Sequence, residues 1–251
     1  MLKDFRKEKF DIIIQGGQSN SDGTGHGVIS NTYTPNDRVW FLNQDFTISI
    51  AQERVIENHI RSDFSLKFTR HYIEDGLLDE NRNILVIRSA VGGTGFTDKR
   101  WGLSDDLFIQ MIEMTKTALE LNIENRLVAF LWHQGESDAG NGADFDTHYN
   151  NLSTLVQTVR DKFDTPALPF IAGDFVQLWK TSNMEICTPV ADAIRSVCDK
   201  IKHAAFVETN ELKSNYEEYG PEADGSIDDI HFSRAAIYEL GERYYLAFKS
   251  I

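Results

Sequence analysis

Leu127-Val128-Ala129-Phe130-Leu131-Trp132 is apolar at every position and stops abruptly at the polar His133-Gln134-Gly135-Glu136. A run of strand length without polar alternation leaves no side for water, so it belongs in a sheet covered on both faces. The pattern recurs at Ile12-Ile13-Ile14 and Ile84-Leu85-Val86-Ile87, and again at Pro169–Gly173 and Ala204–Val207. Segments of helical spacing come after the runs: Phe64 to Ile73 ahead of Gly76, Leu107 to Leu121, Tyr149 to Val159, Val190 to Ile201 and Ser233 to Phe248. Buried strands alternating with amphipathic helices predict an α/β fold, a three-layer α/β/α sandwich whose central parallel sheet has about five strands. Val39–Leu42 and Phe46–Ile50, separated by Asn43-Gln44-Asp45, read as a small accessory hairpin beside that sheet. No internal repeat or low-complexity tract interrupts the chain, and at 251 residues and 41% hydrophobic it is expected to bury one core as a single domain, 1–251.

Charge narrows the partners. With 25 basic and 39 acidic residues, the net charge of −14 repels phosphate backbones and anionic membrane surfaces, so neither nucleic acid nor a membrane is expected as a partner. Met1 to Phe10 is charged throughout and carries no apolar signal core. As written the chain reads as cytoplasmic, or as secreted if a leader was removed. Cys187 and Cys198 fall in one helical segment, poorly placed to bridge each other, and read as free thiols. Nothing in the composition speaks to oligomeric state.

Three of the apolar runs end in small or polar residues. Ile12-Ile13-Ile14 leads into Gln15-Gly16-Gly17-Gln18-Ser19-Asn20, the second into Gly92-Gly93-Thr94-Gly95, the third into Gln134. Ser19, Gly93 and Gln134 therefore each stand just past the carboxyl end of a different strand, the edge at which open α/β sheets bind ligands. Ser19 in this place fits a nucleophile, although it also fits the commoner job of capping the next helix. The Gly- and Ser-rich stretch from Asn20 to Arg38 is too long for a mere connector and reads as a binding loop. A hydroxyl becomes a nucleophile when a histidine takes its proton and a carboxylate orients that histidine. Asp228 and His231, three residues apart ahead of the last helix, can supply both from one loop. Asp-x-x-His alone also fits a turn residue beside a half-buried histidine.

Gly17-Gln18-Ser19-Asn20, Gly92-Gly93-Thr94, Trp132-His133-Gln134-Gly135-Glu136-Ser137-Asp138 and Asp228-x-x-His231 together resemble, in order and spacing, the motifs of the SGNH-hydrolase superfamily. The most similar branch is the sialate O-acetylesterase and acetylxylan-esterase-like group, and the resemblance runs from Ile12 to the last helix. It implies a flavodoxin-like sandwich and a serine esterase that removes acetyl groups from a carbohydrate without metal or cofactor. Carried onto this chain, Ser19 is the nucleophile, His231 the general base and Asp228 its orienter. The N–H groups of Ser19 and Gly93 and the Gln134 side chain form the oxyanion hole, and Gln18, Asn20 and Glu136 support the site. The wider superfamily usually has asparagine in the third block, so Gln134 matches at the level of the branch only.

Other chemistries fit less well. Gly17-x-Ser19-x-Ser21 lacks the second glycine of a nucleophile elbow, and Gly16-Gly17-Gln18-Ser19 lacks the lysine of a phosphate-binding loop. His133, Glu136 and Asp138 have neither His-Glu-x-x-His spacing nor a cysteine pair beside them, so no metal is expected. Phe96, Trp101, Trp179 and Tyr33 flank the motif loops and fit either sugar stacking or packing. The alternatives kept open are an esterase or thioesterase acting on a small non-sugar acyl ester, and an inactive carbohydrate-binding homologue.

Overall fold

The structure is a computed structural model that describes residues 3–27, 33–56 and 59–251. After a 3-10 turn at Phe5–Lys7, the first half comprises β1 (Phe10–Gly17), α1 (Ser19–Asp22), β2 (Gly25–Gly27), β3 (Val39–Leu42), β4 (Ile48–Ile50), β5 (Arg54–Ile56), β6 (His59–Ser62), α2 (Ser65–Glu74) and β7 (Asn83–Arg88). The second half comprises α3 (Asp106–Glu120), β8 (Arg126–His133), α4 (Glu136–Gly140), α5 (Phe145–Lys162), β9 (Phe170–Gly173), α6 (Gln177–Ser182), α7 (Met184–Lys200), β10 (Ala204–Val207), α8 (Asn215–Tyr219) and α9 (Arg234–Lys249).

The main sheet has seven strands in the order β10-β9-β8-β1-β7-β3-β4. β1 lies at its centre, between β7 and β8, with Ile13 level with Val86 on one side and Ala129 on the other. Successive side chains of a strand point to opposite faces, so each apolar run serves two cores. Ile12, Ile14, Leu85, Ile87, Phe130 and Trp132 pack with α3, α5 and α7 on one face. Ile13, Ile84, Val86, Ala129, Leu131 and Ile171 pack with α2 and α9 on the other. Full burial of each such aliphatic chain stabilises by roughly 1.5–3 kcal/mol, which explains why the runs tolerate no alternation. The three-layer α/β/α arrangement is thus the one expected.

The sheet is wider than the expected five strands, and the hairpin is not an accessory. β3 pairs in parallel with β7, Val39 against Ile84 through Leu42 against Ile87, and only β4 at the edge runs antiparallel. Val39, Phe41 and Leu42 are buried, so joining the sheet removes apolar surface that a free-standing hairpin would leave wet. A second, three-stranded sheet, β2-β6-β5, is not expected from sequence, because Gly25-His26-Gly27 carries no strand pattern. The helix expected from Val190 begins at Met184 instead and takes Pro189 as its sixth residue, where the ring supplies no N–H for the carbonyl of Glu185. Cys187 and Cys198 are both free and buried on this helix. At the amino ends of the strands, the fully buried Asp11 accepts hydrogen bonds from Arg82, Arg126 and Tyr72, which ties β1 to its neighbours far from the motif loops. No helix among the described residues is long and apolar enough to cross a membrane.

Candidate active site

β1 ends in a turn that only glycine can make. Gly17 has φ +126°, and a Cβ there would stand 2.1 Å from the carbonyl oxygen of His133, which already accepts a hydrogen bond from Gln18 N–H. The chain turns over the end of β8 and starts α1 at Ser19. The capping alternative for Ser19 does not hold: it is the first helical residue, the cap position is Gln18, and the Ser19 hydroxyl points elsewhere.

It meets His231. Nε2 of His231 is 2.9 Å from Ser19 Oγ, and Nδ1 is 2.7 Å from Asp228 Oδ1. The structure therefore brings the three residues into one hydrogen-bonded chain across 212 positions of sequence. Burial alone would raise the carboxyl pKa of Asp228, but the bonds from His231 and Asn215 outweigh it and hold it below the usual value. Asp228 also accepts from the backbone N–H of His231, so the turn role and the pairing role coexist in one side chain.

The loop carrying His231 has no long strand beneath it, and Asn20 holds it from the next position of α1. Asn20 Nδ2 donates to the carbonyl of Ile230 at 3.0 Å, and its Oδ1 accepts from Phe232 N–H at 3.1 Å, so one amide clamps both neighbours of His231. The same Nδ2 donates to Glu136 Oε1 at 2.8 Å. Glu136 is buried, which pushes its carboxyl pKa up against the opposing bond from Asn20. Gln18 accepts from Ser137 N–H, joining the serine turn to α4. All three expected supporting side chains thus lie on the seam between the serine turn, the third motif and the histidine loop.

On the other flank, the Gly92-Gly93 turn runs beside the serine: a Cβ at Gly92 would stand 3.7 Å from Ser19 Cβ. Gly93 has φ +69°, a left-handed conformation suited to glycine. Among the described residues, neither the Ser19 nor the Gly93 N–H donates a hydrogen bond to protein. Gln134 is buried at the end of β8, and its amide is engaged. Nε2 donates to Asp138 Oδ2 at 2.9 Å and, at a longer 3.3 Å, to the carbonyl of Thr94. This is tighter tethering than a donor kept free for substrate would have. Asp138 is the reason: its carboxylate also accepts from Phe96 N–H, Thr97 N–H and Thr97 Oγ1, binding the second motif loop to α4. Burial raises the Asp138 pKa, yet the contact with His148 and the bonds from Thr97 prevail and hold it well below the carboxylate range. His133 faces the other way, bonded through Nδ1 to Tyr244, and burial pushes its pKa down to about 3.

The aromatic residues resolve toward packing. Trp101 and Phe96 are buried, with Trp101 Nε1 donating to Thr94 Oγ1. Trp179 packs edge-on against Phe175, and Tyr33 stacks on Tyr238. Residues 28–32 of the expected binding loop lie outside the described residues. Sequence reasoning missed Asn215, whose Nδ2 donates to Asp228 Oδ2 at 2.8 Å. Its only signal is the capping box of Ser214 and Glu217 around α8, which marks a helix start and says nothing of Asp228.

Known proteins share this architecture. The chain is 26% identical over 182 residues to a probable carbohydrate esterase of Arabidopsis thaliana, and 24% identical over 127 residues to a probable 9-O-acetyl-N-acetylneuraminic acid deacetylase of Escherichia coli (strain K12). These matches cover 64% and 41% of this chain, and the chain spans 66% and 39% of the length of those relatives. Among solved structures, NanS superimposes with a TM-score of 0.79 at 17% identity, covering 97% of both chains. A carbohydrate acetylesterase from Xanthomonas citri gives 0.63 at 14% identity, over 96% of this chain and 56% of that one. At these identities the structural likeness is one of fold. The profile of the family described as SASA, carbohydrate esterase, sialic acid-specific acetylesterase, matches residues 9–250, and the chain belongs to that family.

Proposed function

We propose that this protein is a serine esterase that removes an acetyl group from an O-acetylated carbohydrate through an acetyl-enzyme intermediate. The observation that carries the reading is the 2.9 Å contact of His231 Nε2 with Ser19 Oγ, continued at 2.7 Å from Nδ1 to Asp228. Ser19 Oγ attacks the acetyl carbonyl while its proton passes to His231 Nε2, and Asp228 stabilises the imidazolium that forms. The negative charge that develops on the carbonyl oxygen is held by the N–H groups of Ser19 and Gly93. Gln134 serves as the third donor by exchanging its long bond to the Thr94 carbonyl for one to the oxyanion, while Asp138 keeps its amide in place. As the tetrahedral adduct collapses and its carbon–oxygen bond to the sugar breaks, His231 gives its proton to that oxygen, which leaves as a hydroxyl. Water, activated by the same histidine, frees acetate from Ser19. A sialic acid bearing an O-acetyl group is the first substrate to assay, by analogy with the name of the Escherichia coli relative.

The direct test is mass spectrometry of the protein quenched during turnover of p-nitrophenyl acetate and of 9-O-acetyl-N-acetylneuraminic acid. An acetyl adduct on the peptide containing Ser19, absent in Ser19→Ala, is the expected result. Hydrolysis with no adduct and undiminished in Ser19→Ala would overturn the reading.

A further inference from the structure

A cleft of about 510 Å³ opens over the carboxyl ends of β7 and β3, bordered by Gly92, the residue whose position abuts Ser19. Its volume falls in the range of small-molecule sites, roughly 300–1,000 Å³. A hydrocarbon acyl chain would demand apolar walls, and this lining is polar apart from Ala90 and Val91.

The walls are complementary. On one side Arg54 and Arg88 converge on Asp22, the last residue of α1. Nη2 of each donates to the Asp22 carbonyl at 2.6 Å and to its carboxylate at 3.2 and 3.1 Å. Arg54 Nη2 also donates to the Gly23 carbonyl at 3.1 Å and Arg88 Nε pairs with Asp63 Oδ2 at 3.8 Å, while the Nη1 atoms of both make no hydrogen bond among the described residues. On the other side Gln44 Nε2 is spent on the Ala90 carbonyl and Asn43 Nδ2 on Thr47 and Ser49. Those bonds leave the two amide oxygens as acceptors. Within the lining the two guanidiniums are balanced by Asp22 and Asp45, so the cleft offers directed donors and acceptors rather than a net charge. Hydroxyl groups, each able to donate and accept, match that arrangement better than a hydrocarbon or a bare anion does.

We propose that this cleft holds the polyhydroxylated leaving group, with Arg54 and Arg88 donating to its oxygens and Gln44 and Asn43 accepting from them. The inference rests on the esterase reading of Ser19 and makes Arg54 and Gln44 specificity residues of that reaction. Loss of a hydrogen bond from a charged donor should cost about tenfold or more in affinity. Arg54→Met and Gln44→Met are therefore compared with wild type on p-nitrophenyl acetate, 9-O-acetyl-N-acetylneuraminic acid and glucose 6-acetate. KM for the sugar ester that the wild type hydrolyses should rise about tenfold in Arg54→Met and less in Gln44→Met, with kcat/KM for p-nitrophenyl acetate held within about twofold. In parallel, N-acetylneuraminic acid and glucose are titrated into the ¹⁵N-labelled wild-type protein, where shifts should centre on residues 43–47 and 88–92. Equal losses on all esters, no loss on any, turnover of p-nitrophenyl acetate alone, or shifts elsewhere would overturn the assignment of the cleft. If no ester is hydrolysed, it is the esterase reading that falls, and the titration by itself decides what the cleft binds.

Discussion

Ser19, Gly93 and Gln134 come after the ends of three adjacent strands, β1, β7 and β8, whereas Asp228 and His231 sit on a loop outside the sheet, tied by the bridge between Ser214 and Phe232 and by backbone bonds from Asn215 and Tyr216. The first group is fixed from below by the sheet and from the side by Asp138. The second is partly exposed, with side chains at 17% and 26%, and is held by two amides, Asn20 and Asn215. Strand ends are rigid because every backbone group beneath them is paired, while a loop takes its geometry from whatever side chains tie it. Changes in the strand-borne half should therefore disturb stability as well as rate. Changes in the loop-borne half should disturb rate far more than stability.

The largest effect expected is on Ser19, the one residue of the strand-borne half whose role is chemical only. Ser19→Ala should lower kcat by a factor on the order of 10⁴ or more with an unchanged melting temperature. Retention of a tenth of the activity would remove it from the mechanism. Next comes Gln134→Ala, which should cost roughly 10² to 10³ in kcat with KM nearly unaltered, since an oxyanion donor acts in the transition state. Gln134→Asn keeps the amide but shortens its reach, so it should recover only part of the rate. A several-fold rise in KM at constant kcat would make Gln134 a ground-state contact instead. In the loop-borne half, Asn215→Ala removes the bond to Asp228 together with those to the Thr24 carbonyl and from His26 N–H, and a loss of about tenfold in kcat is expected, with only a small fall in melting temperature. A fall of many degrees in melting temperature would show that the loop supports the fold, and the contrast would fail.

The smallest and most discriminating effects come from pH. Asp138 and Glu136 stand two residues apart on α4, both buried, and are shifted in opposite directions. Asp138 has many donors and its folded pKa is depressed, so its stabilisation is present above the unfolded value near 3.9 and is lost as pH falls through the folded value. Glu136 has one side-chain donor and its folded pKa is raised. As pH climbs past about 4.3 the unfolded chain releases this proton first, and the native state loses stability until its own pKa is reached. Thermal melts from pH 3 to pH 7 should show Asp138→Asn less stable than wild type by about 1–3 kcal/mol at pH 7, with the gap closing on acidification. Glu136→Gln should gain on wild type as pH rises over the same interval. Parallel curves for both variants would mean that the surrounding hydrogen bonds do not set the two carboxylates apart.

Much of the molecule is legible in the amino-acid sequence. Unbroken apolar runs demand burial on both faces, so the sandwich and its strand ends can be read locally, and with them the places of Ser19, Gly93 and Gln134. The motif order carries Asp228 and His231. Less is legible at the edges. Val39–Leu42 is too short to declare whether it stands apart or joins the sheet, and that choice depends on the apolar surface it buries beside β7. Asn215 is an ordinary helix-start residue in sequence and becomes a partner of Asp228 only once α8 folds back on the histidine loop.

Periodicity, turn chemistry and motifs of fixed spacing account for all that the chain reveals before it folds, each a matter of a few neighbouring residues. Which donors are spent and which are left was decided in three dimensions. Folding engaged Gln134 with Asp138, clamped His231 between the two bonds of Asn20, and turned Arg54 and Arg88 onto Asp22 across a cleft. Hydrogen bonds between side chains far apart in sequence leave no periodic trace, because each depends on where two separate elements come to rest.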